Sequence, residues 1–311
     1  MAGRRNALAL RARGIPYVLT SPPARLAPHA RSLTHHSTSL APQYDEYILD
    51  PTTNGDKQPV IRIWYPKGSW SPGSKYPGGM LMFVYPYKSH PTKDMNNPLS
   101  SKSATLEYEV YLPSDFDCVK GGKLMGLSGG KNGGRGCGGG ADPAHCFNAR
   151  IMWRRNCDGE AYLYVPEGMQ HESFCKGKGT VCNFAKGVSM NRGAFRFQKG
   201  EWNRISLNVT LNSPANATNG ILELRHNGRR VIYYDKMNYR QLEDYKLEAV
   251  EFSTWFGGSD TSWGPPKDQH ILLRNIRVWR DDAPDEGSVV PSAPSLPVLI
   301  EEDLGAIEPP W

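Results

Sequence analysis

The chain has 311 residues, of which 39% are hydrophobic, 10% aromatic and 22% charged, a composition that excludes wholesale disorder. No stretch approaches 18 uninterrupted apolar residues, which excludes a membrane-spanning helix, and 32 glycines and 25 prolines favour strands joined by turns. The net charge of +6 is unevenly spread, with no acid in residues 1–44 and no base in residues 281–311. The middle is therefore basic, but its cations are scattered and no RRM, KH or zinc-finger pattern occurs. Such a charge could serve to bind nucleic acid or an anionic polymer, and the scatter suits an acidic polysaccharide at least as well as nucleic acid.

Three segments follow one another along the chain. Residues 1–44 hold six arginines and five prolines and are predicted to be a disordered basic segment. Their one apolar patch, at 7–10, is too short for the core of a signal peptide, and their acid-free composition superficially resembles a transit peptide. Residues 45–280 are predicted to form one domain, and residues 281–311 an acidic, proline-rich tail.

Within 45–280, short apolar runs separated by turns predict at least eight strands, a number and spacing typical of a sandwich or barrel. The runs lie at 60–64, 80–84, 106–112, 147–155, 160–165, 205–211, 221–226, 229–235, 247–256 and 270–280. Residues 121–140 contain eleven glycines and are predicted to be loop.

The runs at 147–155 and 160–165 alternate apolar and polar residues and are predicted to pair as an antiparallel hairpin. The pairing places Arg154 opposite Glu160. Lys123 is expected to lie near this hairpin, whose polar face carries Asn148, Arg150, Tyr162 and Tyr164.

These five residues suit β-elimination from a uronate. The cations and the amide can neutralise the carboxylate beside C5 and stabilise the enolate-like state, while a phenol transfers a proton. Neighbouring cations are expected to lower the pKa of the phenol. An Arg150→Ala change is expected to abolish turnover with almost no change in melting temperature.

Other chemistries have weaker patterns. Gly134, Gly136 and Gly139 match a dinucleotide fingerprint, but no βαβ pattern surrounds them, so no cofactor is expected. His145 has no convincing set of partner ligands, and no metal site is expected. Glu107 and Glu109 share a strand face, which leaves a glycoside hydrolase open as an alternative.

Six cysteines, at 118, 137, 146, 157, 175 and 182, lie within 65 residues and contain no CxxC pair. Their even number and loop-rich surroundings are typical of an oxidising compartment. Sequons at Asn208 and Asn216 predict glycosylation and favour the same compartment. The chain is therefore expected to be extracellular, although no clear signal peptide is present.

Several segments resemble polysaccharide lyase family 14. They are YEVYLPSDF at 108–116, KGGKL at 120–124, ARIMWR at 149–154, YLYVP at 162–166 and FSTWFGG at 252–258. They follow the family's order across roughly residues 104–280.

The resemblance implies a β-jelly roll of two antiparallel sheets with a cleft, in which glucuronan- or alginate-type polyuronates are cut by β-elimination. It places the family's catalytic lysine on Lys123, its arginine on Arg150 and its tyrosine pair on Tyr162 and Tyr164. Asn148 stands where members carry serine; it can still form a hydrogen bond, and it is an expected contact with the substrate.

Fungal members of the family show cysteines like 137/146 and 175/182, which implies these two disulfides and leaves Cys118 and Cys157 for a third. The expected protein is a secreted monomer. A carbohydrate-binding jelly roll without activity is the remaining alternative, with Trp255, Phe256 and Trp263 stacking on sugars; in the lyase, Trp255 is the expected substrate contact.

Overall fold

The computed structural model describes residues 17–18, 44–54, 57–71, 74–84, 101–138 and 145–280. The strands in these residues are β1 (Tyr17–Val18), β2 (Asp45–Leu49), β3 (Pro59–Tyr65), β4 (Met80–Val84), β5 (Ser103–Tyr111), β6 (Gly121–Gly130), β7 (Cys146–Arg154), β8 (Asp158–Tyr164), β9 (Val181–Asn183), β10 (Gly187–Arg196), β11 (Trp202–Thr210), β12 (Gly220–His226), β13 (Arg229–Met237), β14 (Leu247–Thr254) and β15 (Gln269–Arg280). The helical segments of the described residues are single 3₁₀ turns of three or four residues, and none of them could cross a membrane.

Two antiparallel sheets form a β-jelly roll, as the sequence predicted. The first sheet has the order β13-β12-β11-β5-β15-β3-β2, with β1 beside β15. The second sheet, called here the site sheet, has the order β4-β14-β6-β7-β8-β10-β9.

The core lies between the two sheets and is built from alternate residues of their strands. Leu106 and Val110 of β5 face it from the first sheet, and Ile151 and Trp153 of β7 face it from the site sheet; all four are fully buried. Because successive side chains of a strand point to opposite faces, Arg150 lies on the face of the site sheet turned away from the core.

The prediction that residues 121–140 are loop is wrong for β6, a ten-residue strand in the middle of the site sheet. Its glycines let β6 lie close against its neighbour β7. A Cβ at Gly122 would lie 2.0 Å from the ring of Trp153, and one at Gly126 would lie 2.0 Å from the carbonyl oxygen of Ala149. Close packing of the strands therefore requires glycine at these positions. Because glycine is uncommon in strands, the same residues indicated a loop when only the sequence was considered.

The β7–β8 hairpin forms, but its register differs by two residues from the predicted one. Met152, and not Arg154, lies opposite Glu160. The turn is shorter than predicted because Asn156 and Cys157 both adopt left-handed backbone angles, with φ of 60° and 59°, and β8 begins directly afterwards at Asp158. A shift of two leaves every side chain on its predicted face.

The sequence also missed β2, β9 and β10, and it expected no regular structure at Tyr17–Val18, where the short strand β1 pairs with β15. The predicted tail at 281–311 lies outside the described residues.

Candidate active site

The site sheet brings together the lysine, arginine and tyrosines that the sequence singled out. Lys123 is supplied by β6, Arg150 by the neighbouring β7, and Tyr162 and Tyr164 by β8 beyond it. Arg150 lies directly opposite Tyr162 in the ladder. These positions are separated by up to 41 residues in sequence, and the order β6-β7-β8 makes them neighbours.

Lys123 is half-buried between two aromatic rings. Its Nζ lies 4.9 Å from the ring centroid of Trp255 and 5.7 Å from that of Tyr162. Its backbone N–H donates to the carbonyl of Trp255 at 2.8 Å, which fixes the tryptophan beside the lysine. Burial, and then the positive charge of Arg150, lower the pKa of Lys123 well below its ordinary value, while Glu251 acts in the opposite direction.

Arg150 is only 2% exposed and has a buried counterion that sequence reasoning missed. One of its terminal nitrogens donates to Oε1 of Glu251 and to Oγ of Ser253, both at 2.7 Å. The two charges lie on β7 and β14, on either side of Gly126 in β6. A Cβ at Gly126 would lie 2.7 Å from Cγ of Arg150, so the glycine leaves the space through which the arginine reaches Glu251.

This buried ion pair argues against the expectation that Arg150→Ala leaves the melting temperature almost unchanged, because the change would leave Glu251 buried without its counterion. The available signal was Glu251 itself, an acid directly between the apolar residues Val250 and Phe252. A buried carboxylate needs a counterion or hydrogen bonds, although the sequence does not name its partner.

Both tyrosine hydroxyls donate to the backbone carbonyl of Lys186, that of Tyr164 at 2.8 Å. The two rings meet edge to face with their centroids 5.7 Å apart. The expected lowering of the phenol pKa is wrong for Tyr162, whose pKa is raised, mainly by burial and then by Tyr164. The cations Arg150 and Arg154 act in the expected direction but are outweighed.

Asn148 lies on the predicted face but is fully buried. Its amide nitrogen donates to the carbonyl of Cys137 at 2.8 Å, which ties β7 to the loop before it, and its Oδ1 has no hydrogen-bond partner among the described residues. Asn148 therefore holds a loop in this structure, whereas the sequence proposed it as a contact with the substrate.

The three aromatic residues that the sequence proposed as sugar-stacking residues have different surroundings. Trp255 is 9% exposed and lies against Lys123, as described above. Phe256 is buried in the core against Phe116 and Trp153, which removes it from the predicted set of sugar-stacking residues. Trp263 is half-buried and lies on the 3₁₀ turn that follows β14 in the chain.

The family model described as Polysaccharide lyase 14 matches residues 53–276 of this chain. The chain belongs to polysaccharide lyase family 14. Among solved structures, it is similar to the marine PL-14 alginate lyase from Aplysia kurodai, with 28% identity and a TM-score of 0.67 over 78% of this chain and 90% of that one. Alginate lyase vAL-1 from Chlorella virus shares the fold, with 21% identity and a TM-score of 0.60 over 76% of this chain and 89% of that one.

A curated relative, exolysin of Paramecium bursaria Chlorella virus 1, is 26% identical over 173 residues. The match covers 51% of this chain and 26% of exolysin, so the chain spans about a quarter of the length of that relative. The family and the fold are thus those of a polysaccharide lyase.

The alternative carboxylate pair lies far from this family-14 site in the topology. Glu107 and Glu109 are on the outer face of β5, in the first sheet, and each is paired with an arginine. Glu107 accepts from Arg204 at 2.9 Å and Glu109 from Arg274 at 2.7 Å. Each carboxylate is paired with an arginine, and both lie in the first sheet, whereas Lys123 and the tyrosines lie in the site sheet.

Three disulfides link the family-14 domain, and their pairs agree with those that the resemblance implied. They are Cys118–Cys157, Cys137–Cys146 and Cys175–Cys182. The first holds the β7–β8 turn, and the second packs against Tyr164. Among the described residues, no group of three His, Cys, Asp or Glu side chains is arranged to hold a metal ion.

Proposed function

We propose that this chain cleaves a uronate-containing polysaccharide of the alginate or glucuronan type by β-elimination. The observation that carries the proposal is the convergence of Lys123, Arg150 and Tyr162 on one face of the site sheet in a family-14 chain. Such a site can remove a proton beside a carboxylate, stabilise the resulting charge and supply a proton to the leaving group.

The reaction balances without water. A base takes the proton from C5 of the uronate, the electron pair forms the C4=C5 double bond, and the bond between C4 and the glycosidic oxygen breaks. The leaving oxygen takes up a proton. One product therefore carries an unsaturated uronate at its new non-reducing end, and a hydrolase would not form it.

Lys123 is the proposed base and Tyr162 the proposed acid. The lowered pKa of Lys123 favours a neutral amine that can accept the C5 proton, and the raised pKa of Tyr162 favours a phenol that retains its proton until the leaving oxygen needs it. The opposite directions of these two pKa shifts support this assignment over a tyrosinate base. Tyr164 packs edge-on against Tyr162 and orients it.

Arg150 is proposed to act through its charge. Held by Glu251 and Ser253, it disfavours protonation of the neighbouring Lys123 and stabilises negative charge that develops on the uronate. Trp255, beside Lys123, is proposed to pack against the sugar ring.

The substrate class is supported by the 28% identical relative from Aplysia kurodai, an alginate lyase. We further propose that the chain acts outside the cell, because three disulfides form and persist in an oxidising environment. It is proposed to act as a monomer, without nucleic acid, membrane, metal or cofactor.

The test is to incubate the purified chain with alginate, polyglucuronate and a neutral glucan and to record the ultraviolet absorbance of unsaturated uronate. Lys123→Gln and Tyr162→Phe are expected to lower turnover by about 100- to 10,000-fold. Lys236→Gln and Tyr233→Phe, at exposed positions on β13 of the other sheet, are the matched controls and are expected to retain full activity. Full activity in Lys123→Gln would exclude the proposed base.

A further inference from the structure

A second lysine–tryptophan pair lies on the same strand end as Lys123 and Trp255. Nζ of Lys120 lies 5.9 Å from the ring centroid of Trp263 and donates to Oγ of Ser262 at 2.5 Å. The backbone N–H of Ser262 in turn donates to Asp260 at 2.9 Å, which closes the 3₁₀ turn that carries Trp263. The ammonium and the ring are thus held next to each other by the same turn.

The ring of Trp263 rests on the backbone of Gly258. A Cβ at Gly258 would lie 2.2 Å from the ring atoms, and this glycine has a φ of +99°. Any other residue would therefore push the ring away. One side of the ring is supported by backbone, and the half-buried side chain keeps part of its surface exposed.

Trp263 lies on the same side of the site sheet as the candidate active site. A Cβ at Gly257 would lie 3.4 Å from Cε of Met152 and 3.8 Å from Cζ3 of Trp263. The side chains of Met152 and Trp263 therefore both lie next to Gly257. Met152 shares its face of β7 with Arg150, two residues earlier.

The two lysine–tryptophan pairs belong to one continuous surface. The segment after β14 runs antiparallel to the start of β6, through hydrogen bonds from Lys123 to Trp255 at 2.8 Å and from Gly257 to Gly121 at 3.0 Å. Lys120 lies in the turn directly before β6 and precedes Lys123 by three residues.

We propose that Lys120 and Trp263 form a second uronate-binding subsite, which takes another sugar residue of the same polysaccharide chain. The inference rests on the proposed function. A polyuronate repeats the same two features at every residue, a carboxylate and an apolar sugar face. Lys120 and Trp263 offer the matching features, an ammonium for the carboxylate and a ring for the C–H face.

The test uses uronate oligomers of defined length. In the unmodified chain, kcat/KM is expected to rise once the oligomer is long enough to reach the second subsite. Trp263→Ala and Lys120→Gln are each expected to lower kcat/KM about tenfold on long oligomers and on the polymer, the loss expected for one charged or aromatic contact. The shortest cleaved oligomer is expected to be turned over as before.

Matched controls separate a subsite from a general effect. Arg230 and Tyr233, 4.8 Å apart on β13 of the other sheet, form a similar cation–aromatic pair, and Tyr233→Ala is expected to change nothing. Trp263→Phe keeps an aromatic ring on Gly258 and is expected to restore most of the loss.

Binding gives a readout that does not need turnover. In the Tyr162→Phe background, calorimetry with long uronate oligomers is expected to show a Kd about tenfold weaker after Trp263→Ala. Equal loss at all lengths, or no loss at any length, would overturn the subsite. If the unmodified chain cleaves no polyuronate, the proposed function fails, and the same length-dependent weakening of binding still decides for or against the subsite.

Discussion

Removing the guanidinium of Arg150 is expected to destabilise the fold as well as to abolish turnover. Arg150 and Glu251 are both at most 3% exposed in their side chains, and their charges meet at 2.7 Å. Arg150→Ala would leave Glu251 buried without its counterion. Breaking a buried pair in this way typically costs about 3–5 kcal/mol.

The expected shift in melting temperature is large. For a domain of this size, about 2–4 °C is lost per kcal/mol, so Arg150→Ala is expected to lower Tm by roughly 6–20 °C. The loss is also expected to depend on pH. Burial already raises the pKa of Glu251 above its ordinary value, and Arg150 counteracts that rise.

In Arg150→Ala the folded-state pKa of Glu251 therefore rises further above its unfolded value of 4.5. A group whose pKa is raised by folding stabilises the protein below the unfolded value, and this contribution is lost as the pH rises through the folded-state value. The Tm difference between the variant and the unmodified chain is therefore expected to widen from acid toward neutral pH.

The assay is thermal unfolding of both proteins across this pH range, with a double variant, Arg150→Met with Glu251→Met, as the control. Replacing both charges by apolar side chains removes the unpaired carboxylate, so the double variant is expected to recover most of the stability but none of the activity. A Tm for Arg150→Ala within about 1 °C of the unmodified chain at every pH, against the shift expected above, would refute the reasoning.

Three further predictions concern other parts of the domain. Lyase activity is expected to fall at acid pH as Lys123 becomes protonated. Glu251 raises the pKa of Lys123, so Glu251→Gln is expected to move this acid limb of the pH–rate profile to lower pH. An acid limb that does not move would contradict the assignment of Lys123 as the base. Gly126→Ala is expected to cost about 1–3 kcal/mol or more, since its Cβ would overlap β7, and chemical denaturation measures the loss. In a glycosylating host, peptide mapping is expected to find a glycan on the exposed loop residue Asn216 and none on Asn208, whose amide donates to Thr105 at 2.9 Å inside the first sheet.

Alternation in the sequence was sufficient to predict the strands that have one apolar face. β5, β7, β8 and β11 were all recognised in this way, and the hairpin put Arg150 and Tyr162 on their observed face. The two-residue error in its register came from the turn. Left-handed backbone angles at two successive non-glycine residues, the second bonded to Cys118, have no signature in the local sequence.

The features that the sequence did not reveal depend on contacts between distant segments. Five glycines in β6 indicated a loop, because the requirement for glycine arises only when β7 packs against that strand. The ion pair between Arg150 and Glu251 joins residues 101 positions apart across a third strand. The sign of the Tyr162 pKa shift depends on burial, which outweighs the nearby cations.

Elimination and hydrolysis are distinguished by comparing a polyuronate with the same polymer after its carboxylates are reduced to primary alcohols. Reduction removes the group that makes the C5 proton acidic and that delocalises the developing charge. The account predicts rapid formation of unsaturated, ultraviolet-absorbing ends from the native polymer and none from the reduced one. Chain cleavage of the reduced polymer, with new reducing ends and no such absorbance, would mean that the protein breaks the glycosidic bond by hydrolysis and that the lyase chemistry proposed for Lys123 and Tyr162 is wrong.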